Sequence, residues 1–141
     1  MSRNDILENL KTSLEAINGT GSYTNTVAFV KRGYEGSVGA DQYPYILIIN
    51  PVESVKTEDY TSKNCLAEVE VDIFARCKDM TASELETFLS EIIKAVIADP
   101  HRGGYALNTF FKGCGTMDSD VPENQYIMTN FVITFRRSLG G

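Results

Sequence analysis

Between Cys65 and Cys77 the chain alternates without a break: Ala67, Val69, Val71, Ile73 and Ala75 are apolar, and Glu68, Glu70, Asp72, Phe74 and Arg76 stand between them. A period of two belongs to extended backbone, in which successive side chains point to opposite faces. The segment therefore predicts a long β-strand with one apolar face and one face that opens with three carboxylates. A strand of this kind needs neighbours in a sheet and a second layer over its apolar side.

The rest of the chain supplies both. Ile6, Leu7, Leu10, Leu14 and Ile17 recur at helical spacing with Asp5, Glu8, Lys11 and Glu15 opposite, predicting an amphipathic helix over 3–17. Ser2 can cap it, and Asn18-Gly19-Thr20-Gly21 stops it. Residues 26–32 favour a strand through β-branched and aromatic content, before a glycine-rich loop from Gly33 to Gly39. Tyr43 to Ile49 is a continuous apolar run led by Pro44, which reads as a second, largely buried strand. From Asn50 to Asn64 the chain turns polar, which predicts an exposed connection or irregular hairpin tip.

After the alternating strand, Thr81-Ala82-Ser83-Glu84 has the capping-box pattern that opens a helix running to about Ala98. Leu85, Phe88, Leu89, Ile92, Ile93 and Val96 form its apolar face, and Asp99-Pro100 with Gly103-Gly104 ends it. Residues 105–112 predict a strand, Gly113 to Asn124 a turn-rich link, and Tyr126 to Arg137 a long last strand in which only Thr129 interrupts the apolar set Ile127, Phe131, Ile133 and Phe135. The order is α-β-β-β-α-β-β. It predicts an α+β domain over residues 1–141, with a mainly antiparallel sheet of four to five strands and two helices packed on one face.

Composition bounds the function. With 13 basic and 19 acidic side chains the net charge is −6, the wrong sign for holding nucleic acid by phosphate neutralisation. An acidic wall can still let a polyanion pass without sticking. Much of the acidity is local, since residues 53–72 carry six acids against two bases and 79–99 carry five against one. No stretch approaches the roughly 18 apolar residues of a membrane helix, and the opening Met-Ser-Arg-Asn-Asp lacks a signal-peptide layout, so a cytoplasmic chain with no membrane partner is expected. Cys65, Cys77 and Cys114 cannot all pair. The first two, on one strand, would lie about 40 Å apart at roughly 3.3 Å per residue, so each is read as a small buried hydrophobe.

Catalytic patterns are sparse. The chain has one histidine, His101, which excludes any site needing two imidazoles from one chain, and no GxSxG elbow accompanies it. A solvated loop position is expected for it. Gly113-Cys114-Gly115 and the Gly33 to Gly39 stretch lack the spacing of a phosphate-binding loop. Asp118-Ser119-Asp120 with Glu123 is a fragment of a calcium loop without the remaining ligands, and reads as a polar turn. No cofactor or metal is expected. Glu68, Glu70 and Asp72 would project from one face roughly 7 Å apart, repelling one another unless water or a basic partner screens them, with Arg136 and Arg137 as opposite-sign candidates. Glycoside chemistry on such carboxylates would need a cleft with sugar-stacking aromatics, of which there is no sign. The row reads as a solvated outer face, an interface or a channel lining.

Taken in order, the first helix, the strand ending in Lys31-Arg32, the Tyr43-Pro44-Tyr45-Ile46 lead into an apolar strand, the alternating strand to Arg76, the helix ending in Asp99-Pro100 and the last strand closing on Phe135-Arg136-Arg137 resemble the tail terminator proteins of tailed bacteriophages. The resemblance spans about residues 3 to 137 and rests on element order and short motifs. It implies a structural, non-enzymatic virion protein, assembled in the host cytoplasm as a hexameric ring. Such a ring caps the tail tube, ends its polymerisation and meets a neck or head-completion protein, and DNA passes through without specific binding. Under it, Glu68, Glu70, Asp72, Arg136, Arg137, Lys31 and Arg32 are interface or lumen candidates. The loop from Pro51 to Asn64, with Glu53, Lys56, Glu58, Asp59 and Lys63, is the candidate contact with tube or neck. Another neck or completion protein fits the same features, and a small cytoplasmic α+β ligand-binding domain or enzyme is the reading from a different class.

Overall fold

The architecture comes from a computed structural model, which describes residues 3–33, 42–57, 60–117 and 125–139. Helix α1 (Arg3–Glu15) is followed by β1 (Phe29–Arg32), β2 (Tyr45–Lys56), β3 (Asn64–Cys77), α2 (Ala82–Ile97), β4 (Asn108–Met117) and β5 (Gln125–Ser138). A short 3-10 turn at Arg102–Gly104 links α2 to β4. The strands form one sheet in the order β1-β2-β3-β5-β4, antiparallel at each pairing except β1 with β2, which is parallel. The chain thus has the expected α+β class and mainly antiparallel sheet. Ser2, residues 34–39 of the glycine-rich loop, Glu58, Asp59, and the 118–123 calcium-loop fragment lie outside the described residues.

The period-two strand is the centre of the molecule. Every odd residue of β3 from Cys65 to Cys77 is buried, as are Ile127, Thr129, Phe131, Ile133 and Phe135 of β5. Ile6, Leu7, Leu10 and Leu14 of α1 and Leu85, Phe88, Leu89, Ile92, Ala95 and Val96 of α2 join this face in one apolar cluster. Each Leu, Ile, Val or Phe among them contributes about 1.5–3 kcal/mol on removal from water. Thr129 fits because its hydroxyl donates to the Ile73 carbonyl at 3.3 Å. At the end of α1, Gly19 has φ 78°, and a Cβ there would come within 2.6 Å of Thr26 Oγ1, which explains a glycine in the stop signal.

Helix α1 ends at Glu15 and not at 17, β4 starts at Asn108 and not at 105 because a 3-10 turn precedes it, and three further boundaries differ from the sequence expectations. The strand expected over 26–32 is paired only from Phe29, since Thr26 bridges back to Asn18 instead. The polar segment after Ile49 is not a loop up to Asn64, because β2 continues through Lys56 beside β3. Asn50 takes φ 54° and a bulge falls between Ile49 and Val52, so the strand changes facing there without ending. Gly113 to Met117 is not part of a turn-rich link either. It is the second half of β4, held by its pairing with β5 after a bulge between Phe111 and Gly113. Long partner strands carried both segments past the point where their own composition favours extended structure.

Candidate functional site: the open face of the sheet

The even residues of β3 and β5 point away from the apolar cluster that takes in both helices. Across the strands they form rows: Asn108, Thr134, Glu68 and Ser54; then Phe110, Val132, Glu70 and Val52; then Gly113, Asn130, Asp72 and Ile49. The three carboxylates therefore run up the middle of this face, as the alternation requires. They are not left to repel one another. Lys56 on β2 reaches Glu68 at 3.1 Å, and Lys112 at the β4 bulge reaches Glu70 at 3.0 Å. Asp72 accepts from Asn130 Nδ2 at 2.8 Å and from Asn50 Nδ2 at 3.1 Å. The charges are thus screened from the flanking strands, by two lysines and two amides.

The arginines expected opposite this row are placed differently. Arg136 is on the same face, where its guanidinium donates to Asn64 Oδ1. Arg137 pairs with Cys65 in the register and so lies on the other face, where it forks onto Glu53, with Nη2 to Oε1 at 2.7 Å and Nε to Oε2. Arg3 of α1 adds a second, longer contact to Glu53 at 3.9 Å. Hydrogen bonding and charge from Arg137, with help from Arg3, hold the Glu53 carboxyl below the ordinary value against the opposing effect of burial. Glu53 is therefore a half-buried anchor within β2 and not a contact on a loop. Lys56 likewise belongs to β2, and of the described loop candidates only Lys63 sits in the exposed hairpin tip. Lys31 and Arg32 also separate: Lys31 is exposed, while Arg32 bonds Asn4 Oδ1 at 2.7 Å and Glu8 at 3.4 Å on α1.

Beyond the carboxylates the same face is apolar. Tyr45, Leu47 and Ile49 are buried there against Phe29, Tyr43, Phe74 and Met128, and the Phe29 and Tyr45 rings stack at 4.9 Å. Cys65 and Cys77 are buried as expected, and burial pushes the Cys77 thiol up to about 12. Cys114 is a correction: it stands exposed on β4, the outermost described strand on that side of the sheet, although it shares a face with the buried Thr129 opposite it. His101 is exposed as expected, with Nδ1 2.9 Å from the Leu107 carbonyl.

Two buried charged groups were not anticipated. Arg102, beside the histidine, is fully buried and donates to the Asp99 and Val96 carbonyls and to Ser13 Oγ. Nothing in the local pattern marks it. Glu91 of α2 is buried and accepts from the backbone N–H of Thr24 and of Asn25 and from the Asn25 amide. Its spacing from Phe88 and Ala95 on the apolar stripe was the available signal. Among the described residues no cluster of three or more His, Cys, Asp or Glu could hold a metal ion, and no helix is long and apolar enough to cross a membrane. No family model matches the sequence, and no curated protein matches it.

Proposed function

We propose that the chain is a structural virion protein of the tail-terminator kind, a hexameric ring that caps the tail tube, ends its polymerisation and joins it to the neck, with DNA passing through. The observation that carries this reading is the carboxylate row on the open face, Glu68, Glu70 and Asp72, whose flanking lysines are turned onto the carboxylates. A polyanion meeting that row finds acid groups and engaged cations, which suits a conduit that must not retain DNA. The resemblance in element order supports the same reading. A neck or head-completion protein would share these features and differ only in the neighbour it binds.

Negative-stain images and light scattering of the purified chain, alone and with tail tube protein, test this. Closed rings are expected on or beside the tube ends. A chain that stays monomeric in both conditions removes the proposal. Replacing Glu68, Glu70 and Asp72 together by lysine should impair ring formation or cause rings to retain DNA, and rings that assemble normally and still ignore DNA would remove the role given to the row. The ligand-binding reading has one observation of its own, an open groove of about 380 Å³ lined by Leu7, Glu8, Arg32, Ile48, Asn50 and Pro51.

A further inference from the structure

The joint between α1 and the segment that follows it holds one asparagine unlike the others. Only Asn18 is followed by a glycine. Asn4 and Asn9 lie inside α1, Asn64, Asn108 and Asn130 lie in strands, Asn50 precedes Pro51, and Asn25 precedes the β-branched Thr26 with its amide held on Glu91 at 2.5 Å. An asparagine side chain can be attacked at Cγ by the backbone nitrogen of the next residue, and a helix or strand, a missing N–H or a crowded neighbour each hinders that approach. At Asn18-Gly19 these hindrances are lifted. Both residues are exposed beyond the end of α1, the attacking residue has no side chain, and a single bridge from Asn18 to Thr26 is the local backbone pairing.

The fold also prepares the side chain. Asn18 Oδ1 accepts two hydrogen bonds from Thr20, one from the hydroxyl at 2.5 Å and one from the backbone N–H at 3.2 Å. Both donors sit on the oxygen where negative charge gathers as Cγ is attacked, so they stabilise the tetrahedral intermediate. Gly19 has φ 78°, and a Cβ there would come within 2.6 Å of Thr26 Oγ1, so the turn keeps a glycine in the attacking position. We infer that Asn18 is a self-modifying site, at which the Gly19 nitrogen closes onto the Asn18 amide and hydrolysis leaves a carboxylate. Hydroxide takes the Gly19 N–H proton, the nitrogen bonds to Cγ, and the Cγ–Nδ2 bond breaks as Nδ2 gains a proton and leaves as ammonia. Water then adds to the cyclic imide at either carbonyl, which gives aspartate or isoaspartate at residue 18. The aspartate form keeps an acceptor for Thr20. The isoaspartate form lengthens the main chain by one methylene where Gly19 already crowds Thr26, so the bridge to Thr26 is lost and the segment between α1 and β1 is released at that end. A single copy of the chain suffices for this chemistry, which is independent of the ring reading.

Ageing the purified, folded chain in warm, mildly alkaline buffer and mass analysis of the tryptic peptide Thr12–Lys31 test this. The peptide should gain the mass of an NH2 exchanged for OH at residue 18 and not at Asn25, as a mixture of aspartate and isoaspartate, and faster as pH rises. Thr20→Val keeps the β-branch and the backbone N–H and removes the hydroxyl, and circular dichroism verifies that it stays folded. It should slow the folded reaction about fivefold, the worth of one hydrogen bond, and leave the rate of the urea-unfolded chain unchanged. A folded chain that stays unmodified at residue 18 overturns the inference, and reaction in urea alone would show that the bridge to Thr26 protects the site. A Thr20→Val chain that ages as fast as wild type when folded, or is slowed equally in urea, overturns the part given to Thr20.

Discussion

Arg102 is a buried charged side chain whose donors are met by carbonyls at the end of α2 and by Ser13 Oγ. Its guanidinium fills the place of the missing donors at a helix C-terminus, where the backbone dipole favours positive charge, and its link to Ser13 ties α2 to α1. Burial lowers its pKa, and the charge of Asp99 acts in the opposite direction. Arg102→Leu removes the side-chain donor to the Val96 carbonyl, while the Asp99 carbonyl keeps the backbone N–H of residue 102, and a loss of about 3 kcal/mol is expected, read as a lower urea midpoint at unchanged slope. Glu53 gives the pH counterpart. Its folded pKa lies below its ordinary 4.5, so the Arg137 pairing adds stability above that value, and the contribution is lost as pH falls through the lowered folded value. Melting temperatures of wild type and Glu53→Gln should differ most near neutral pH and converge in acid. A gap that stays constant down to the lowest pH would contradict the pairing. The arginines were legible as charges, but their partners were not, because the choice of face at Arg136 and Arg137 follows the strand register.

At the scale of elements, local chemistry was the better guide where it acts over one turn. Thr81 and Glu84 form the capping box their spacing announces, with the Glu84 N–H donating to Thr81 Oγ1 at 3.1 Å and the Thr81 N–H to Glu84 Oε1 at 2.9 Å. The alternation of β3 likewise placed its buried and open faces correctly. Composition failed at Asn50 to Lys56 and at Gly113 to Met117, where long neighbours impose extended backbone on polar and glycine-rich sequence. The segment between α1 and β1 has little regular structure, and Glu91 of α2 fastens it through the Thr24 and Asn25 amides. Glu91→Gln keeps one acceptor oxygen but turns an NH2 group toward donors. Amide exchange at Thr24 and Asn25 should then accelerate by at least tenfold while the β3 core amides are unchanged. Equal protection in both proteins would show that the segment is held by other contacts.

For the whole molecule, the layering puts the apolar cluster that takes in both helices on one side of the sheet and the carboxylate row on the other. The element order, the two-faced central strand, both helix stripes and the excess of acid could be read along the chain, because each depends on periodicity or composition. Which cations meet which carboxylates, and that β2 runs on to Lys56 and β4 to Met117, came from the packed sheet. These depend on register between strands far apart in sequence, and no local pattern encodes that register.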